Sequence, residues 1–481
     1  MNKPVLATTF LIGWAVALQG AWQTAAAAEF LAFQPVPELQ KKLDELGEHS
    51  GLMLGKVHVE PADVGRYHAA LSNGPGRRDY SNKLAYAPDR GTALYAGGNH
   101  GSPHRLNDVW EFHLASNTWR MICPPGHDTT RLVEMLKVER RLNEAIAQGA
   151  EVTQNQAALV QVETHIRDWY NNVDVSRGYL EDSTNGGPLM PSHTWDGITY
   201  DEARRRLYWA VLDSDNYAEE RLRVQRERTR RYAQIAGLDE RATLAQLKPG
   251  SSMYWYDLAK GRWGRQLGEG PLPIMRAPGG TLVYLPDKKL TLWYAYAGST
   301  NQGYVEGMWA YDAAGNRWKN LIPGEVVSSL ARQQKAPAEE IQSAYSVKHG
   351  RIVVVNREKT FVYDVAANSW RRVADNPGYG EESYSVFAYD SNADVFLLVS
   401  KKGGKSSTDP WFIAAYSIDR DNWVSVDIKG DPLAAEPLGR AWQWAQYAGY
   451  YDAGQNALVL YNGRDGTTYV YRHMARIKPH S

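Results

Sequence analysis

The stretch Asn107–Trp119, NDVWEFHLASNTW, sets an aromatic residue, Phe112, seven positions before a tryptophan, Trp119, with a turn-prone Ser-Asn between them. The interval recurs. Tyr256 and Trp263 flank DLAKGR, Tyr311 and Trp318 flank DAAGNR, Tyr363 and Trp370 flank DVAANS, and Tyr416 and Trp423 flank SIDRDN. Five copies of one spacing around a Gly/Asn/Asp-rich centre mark internal repetition, which points to one array of similar units rather than to separate domains.

Two further strand-like runs precede each copy, such as GGTLVYLPD and KLTLWYAYAG before Tyr311, or SAYSVKHG and RIVVVNRE before Tyr363. Short β-branched and aromatic runs separated by Gly, Asp, Asn or Lys read as antiparallel strands joined by tight turns. With the aromatic strand and the Trp strand each unit has four strands. The motif tryptophans after Trp263 lie 52 to 55 positions apart, a period that suits a four-stranded propeller blade. On a hairpin the aromatic and the tryptophan face each other across the turn, so the motif residues are expected in the core.

The unit resembles the kelch repeat, most clearly in LYAGGNHGSPHRLNDVWEFHLASNTWRMICPPG, with its double glycine at Gly97 and Gly98, Phe112 and Trp119. Later units lack the double glycine, as in LYWAVLDS and RIVVVNRE. The resemblance spans roughly residues 65 to 473 and implies an all-β, six-bladed kelch-type β-propeller; it implies no particular activity. The sixth unit, ending in TTYVYRHM, has three strands and no motif tryptophan. GKVHVEP, residues 55 to 61, is the candidate for its fourth strand, since an unpaired edge invites aggregation. Residues 36 to 48, VPELQKKLDELGE, read as a short helix lying outside.

The start of the chain has one Lys, an apolar run and small residues at Ala26 and Ala28, which reads as a signal peptide over residues 1–28 and a secreted or periplasmic protein. An N-terminal segment, 29–50, the propeller, 51–476, and a tail, 477–481, follow. Lys plus Arg and Asp plus Glu number 54 each, which leaves no net field to draw nucleic acid or an anionic membrane. No membrane span is expected after signal removal. Cys123 is the single cysteine, so no intramolecular disulfide forms.

Two insertions break the repeat, at 127–190 and 214–250, and both are expected to be helical and to emerge on one face. That face holds the candidate site, because loops on a rigid scaffold carry most binding residues. His100, His104, Asp196, Glu382, Arg440 and Gln443 are the candidate ligand-binding residues, and His193, Tyr345 and Arg276 the candidate catalytic ones. HGSPH, with its Gly and Pro, does not place His100 and His104 on a helix face, and DSDN at 213–216 lacks the later Gly and Glu of a calcium loop. No metal or cofactor is expected. The propeller repeat is also similar to that of galactose oxidase, yet Cys123 falls in a fourth strand, where its side chain is expected to pack. A copper-radical oxidase is therefore not expected.

The expected function is an exported binding module that engages a glycan or a protein partner through the decorated face. The alternative is a glycan-active enzyme, a lyase or epimerase on an acidic sugar, with His193 or Tyr345 as base and Arg276 stabilising the enolate. Some kelch-type sialic acid epimerases and propeller lyases, which this pattern resembles, imply that chemistry. RLRVQRERTRR, residues 221 to 231, adds a basic helix whose Arg226, Arg228, Arg230 and Arg231 are suited to an anionic partner.

Overall fold

A computed structural model describes residues 32–76, 78, 81–98, 105–127, 129–174, 181–189, 191–192, 194–210, 212–213, 226, 229–245, 253–265, 280–296, 307–338, 340–378, 380, 385–403, 409–433 and 447–475. Residues 1–28, expected to be a signal peptide, lie outside them. Six antiparallel sheets carry the described chain, with two small two-stranded ribbons. Sheet I comprises Ala85–Ala87, Thr92–Tyr95, Val109–His113 and Thr118–Cys123; sheet II, Ile198–Asp201, Arg206–Ala210, Met253–Asp257 and Arg262–Arg265. Sheet III comprises Thr281–Leu285, Leu290–Ala295, Gly307–Asp312 and Arg317–Pro323; sheet IV, Ile341–Ser346, Arg351–Asn356, Lys359–Asp364 and Ser369–Arg372. Sheet V comprises Val386–Asp390, Val395–Ser400, Phe412–Ser417 and Asn422–Val426; sheet VI, Tyr447–Asp452, Ala457–Asn462 and Thr467–Arg472. Within each sheet these strands are hydrogen-bonded in chain order.

The motif pairs sit where the spacing places them. Phe112, Tyr256, Tyr311, Tyr363 and Tyr416 lie directly opposite Trp119, Trp263, Trp318, Trp370 and Trp423 across the last hairpin of sheets I to V. Their ring centroids are 4.9 to 5.5 Å apart. The turn explains the Asn/Asp/Gly bias: five residues after each aromatic, Asn117, Gly261, Asn316, Asn368 and Asp421 have φ of 46 to 60°. Left-handed backbone favours these residue types. In three copies the side chain also accepts the tyrosine hydroxyl's proton, at 2.9 Å for Asn316, 2.6 Å for Asn368 and 2.8 Å for Asp421.

The first hairpin of each sheet repeats the same turn, which the Trp-based reading passes over. Tyr86, Tyr200, Tyr284, Tyr345, Tyr389 and Tyr451 end the first strands, and Gly91, Arg205, Lys289, Gly350, Asp394 and Asn456, five residues on, have φ of 50 to 62°. Several of these hydroxyls face the previous sheet. Tyr86 donates to Asp452 (3.3 Å), Tyr345 to Asp287 (2.9 Å), and Asn392 donates to Tyr451 (2.9 Å).

Six main apolar clusters lie between successive sheets: I with II, II with III, III with IV, IV with V, V with VI, and VI with I. The motif tryptophans belong to these layers. Trp119 meets Tyr461 of sheet VI edge-on at 5.1 Å, and Trp370 meets Tyr294 of sheet III at 4.8 Å. Trp263 donates to Asn107 O of sheet I (3.0 Å), and Trp423 to Thr360 Oγ1 of sheet IV (3.1 Å).

The fourth strand of sheet VI is an N-terminal segment, but it shares only Gly55 and Lys56 with GKVHVEP and otherwise lies earlier. Ser50–Lys56 pairs antiparallel with Thr467–Arg472, and His58–Glu60 pairs parallel with Thr118–Arg120 of sheet I. The difference is one of side chains. Leu52 and Leu54 pack into the cluster between sheets VI and I while Met53 packs between V and VI, so this segment has apolar residues for both faces. Glu60 instead finds Arg120 at 2.7 Å on the sheet I edge. Gly51 fits only as glycine, since a Cβ there would fall 1.8 Å from the Tyr469 hydroxyl oxygen.

Helix α1, Pro37–Glu45, is present where expected, yet it is not wholly outside: Leu43 is fully buried in the cluster between sheets VI and I. Buried Arg472 fastens its end by donating to the carbonyls of Leu46 (2.5 Å), Gln455 (2.9 Å) and Asn456 (3.0 Å). Cys123 is a buried free thiol, its pKa pushed up by burial and by the nearby Asp108 and Asp182 carboxylates.

Candidate functional site

Antiparallel pairing in chain order sends the first hairpins of all six sheets and the last hairpins of sheets I to V to one end, and the connections between second and third strands to the other. At that second end the leading residues of the first strands converge. Lys83 bridges to Gly449, and Asp196 to Thr281, each in parallel fashion. Leu84 N donates to Gly449 O (3.0 Å), Gly449 N to Asn82 O (2.8 Å), and Leu282 N to Asp196 O (3.1 Å).

Asp196, 2% exposed, is the hub. Its Oδ2 accepts from Lys83 Nζ (3.1 Å), Ser343 N (3.1 Å), Ser343 Oγ (2.7 Å) and Thr281 Oγ1. Lys83 Nζ also donates to Leu282 O (3.0 Å). A second set joins it: Asn82 Nδ2 and Gln342 Nε2 both donate to Ser385 O, at 2.8 and 2.6 Å, and Ser385 Oγ donates to Gln342 Oε1 (3.1 Å). Side chains at the head of sheets I to V thus form one buried polar cluster, which sheet VI joins through the Gly449 backbone. Burial raises the pKa of Asp196, and Lys83 with the Thr281 and Ser343 hydroxyls opposes the rise without cancelling it. The acceptor is saturated by its own protein, an arrangement that orders the strands and offers little to a ligand.

Of the residues singled out from sequence, Asp196 is central. Tyr345 is elsewhere: it lies toward the hairpin end of its strand and donates to Asp287, and burial followed by the Asp287 carboxylate pushes its phenol up. A phenol so placed keeps its proton at neutral pH. His100, His104, His193, Arg276, Glu382, Arg440 and Gln443 lie outside the described residues. Sequence reasoning missed Lys83, Thr281, Ser343 and Ser385. The signal was available, since each stands two to four positions before one of the first-strand tyrosines.

The insertions build a helical body beside this end. Helix α2, Thr129–Ala147, and helix α3, Val152–Tyr170, form an antiparallel hairpin turned at Gly149, φ 74°. The second insertion packs on its base, with Tyr232 and Ile235 against the cluster of Leu132, Ile166, Trp169 and Tyr170. Arg231 pairs with Glu139 of α2, and Arg230 with Glu240 at 2.6 Å. Two of the four arginines are thereby paired with carboxylates of the insertions, Arg230 at the surface and Arg231 half-buried. Arg226 is exposed, and Arg228 lies outside the described residues. Ala210, from which the second insertion departs, donates to Gly197 O at 2.7 Å, next to Asp196. Among the described residues no helix is long and apolar enough to cross a membrane.

No protein-family model matches the chain. It is similar to the leucine-zipper-like transcriptional regulator 1 of Mus musculus and of Homo sapiens, 24% identical to each over 199 residues, which is 39% of this chain and 22% of those proteins.

Proposed function

We propose that this chain is an exported six-bladed kelch-type β-propeller acting as a binding module, its partner a glycan or a protein taken up on the helix-decorated face. The cyclic order of the six interfacial clusters supports the ring. One observation carries the binding reading: the two insertions, separated by the first two strands of sheet II, share a core and form a single body beside the strand heads. Such a body enlarges a contact surface, whereas the buried polar cluster beneath it spends its donors on Asp196. A lyase or epimerase would need a base able to take a proton near neutral pH; of its two candidates, Tyr345 is held as a donor and His193 lies outside the described residues. The test is a set of acidic and neutral oligosaccharides incubated with the full chain, with binding and product both measured. Binding without turnover is expected. Formation of an unsaturated or epimerised product would overturn the reading.

A further inference from the structure

The strand Ser50–Lys56 is gripped along both edges. Thr467–Arg472 pairs with it on one side and Lys429–Gly430 on the other, where Asp431 Oδ2 accepts from Met53 N at 2.8 Å. Two histidines meet at the start of this seam. His49, φ 51°, precedes the strand and His473 follows its antiparallel partner, while Lys429 N donates to His49 O at 2.8 Å. The two rings stand edge to face, centroids 4.9 Å apart. Both Nδ1 atoms reach one hydroxyl, that of Tyr471, at 3.2 Å from His49 and 3.1 Å from His473. Neutral rings satisfy this arrangement: the hydroxyl donates its single proton to one Nδ1 and accepts from the other. Two imidazolium rings do not, since both Nδ1 atoms then donate, the hydroxyl proton loses its acceptor, and like charges face each other. Carboxylates also act on the pair. Glu48 Oε1 lies 3.8 Å from His49 Nε2, and buried Asp390 acts on His473 from sheet V. The Arg472 guanidinium is turned to the carbonyls of Leu46, Gln455 and Asn456. Burial lowers the pKa of His473 and His49 adds to that; Asp390 and Glu48 oppose the change without reversing it.

We propose that this seam is an acid-sensitive latch, in which protonation of His49 and His473 releases the Ser50–Lys56 strand and bares the Thr467–Arg472 edge. The folded pKa of His473 lies below its unfolded value of about 6.5, so the released form binds more protons between the two values. The seam is therefore at full strength above about pH 6.5 and weakens as pH falls toward the folded value. Hydrogen exchange of the full chain, corrected for the intrinsic pH dependence of exchange, tests this at about pH 7.5 and about pH 5.0. His49→Asn and His473→Asn are measured beside the wild type; each leaves an uncharged amide in place of the ring, and asparagine tolerates the left-handed backbone at position 49. Expected in the wild type is a loss of protection of about fivefold or more at Ser50–Lys56 and Thr467–Arg472 on acidification, with Arg351–Asp364 of sheet IV unchanged. In each variant the loss should be under about twofold. A wild-type loss under about twofold, or one shared equally by sheet IV, overturns the latch. A loss as large in both variants as in the wild type overturns it as well. Variants in which the seam is already unprotected at about pH 7.5 would assign both histidines to folding and overturn the switch too.

Discussion

The two ends of the sheets obey different rules. At the hairpin end, eleven turns place a left-handed residue five positions after an aromatic, from Gly91 after Tyr86 to Asn456 after Tyr451. At the other end, among the described residues, the connections differ: one holds a pair of helices, α2 and α3 of 19 residues each, and another holds the nine-residue helix Gly324–Arg332. Regularity marks where every unit solves the same steric problem. Irregularity marks where each connection is free to carry something of its own, and there the Asp196 cluster and the helical body both lie.

The contrast can be broken from the regular side with the largest effect. Trp318→Ala, at a side chain 4% exposed between sheets II and III, is expected to cost about 3 to 5 kcal/mol in denaturant unfolding. A loss under about 1 kcal/mol would mean that the repeat does not carry the core. On the irregular side, Asp196→Ala removes the partner of Lys83 and three further donors, with an expected loss of about 3 kcal/mol. The lower end of the range applies because Lys83, 17% exposed, still reaches water. An unchanged melt would show that the cluster is dispensable to the fold.

The smallest test concerns pH. Burial works to raise Asp394, but Lys348, the Tyr389 hydroxyl and His349 outweigh it and hold its carboxyl below the ordinary value. A carboxyl depressed in the fold contributes stability above its unfolded pKa of about 3.9 and loses it as pH falls through the folded value. Asp394→Asn tolerates the left-handed backbone, φ 57°, and keeps an acceptor for Tyr389. Its stability should be lower by about 0.5 to 1 kcal/mol at neutral pH and should fall less steeply below about pH 4. Parallel acid-denaturation curves for the two proteins would assign the interaction no weight.

Much of the architecture was legible because it is written locally. A seven-residue interval with a left-handed turn fixes which two side chains face each other, and repetition then fixes how many such hairpins there are. The helix pair around Gly149 was legible for the same reason, its apolar period being a property of one segment. The outer strand of sheet VI was harder. GKVHVEP and SGLMLGK are both extended, and the choice between them depends on Tyr469, Asp431 and the clusters on either side.

By itself the sequence determined the four-stranded unit, the turn residues, the core role of the motif tryptophans and the helical nature of the insertions, all of which follow from short-range sterics and period. Tertiary structure alone decided that Lys83, Asp196, Thr281 and Ser343 meet, that Arg231 pairs with Glu139, and that the His127 ring meets the Asp182 carboxylate. These contacts join residues on different sheets or insertions, and burial sets their strength. Neither distance nor burial between remote segments is encoded in the order of residues within any one of them.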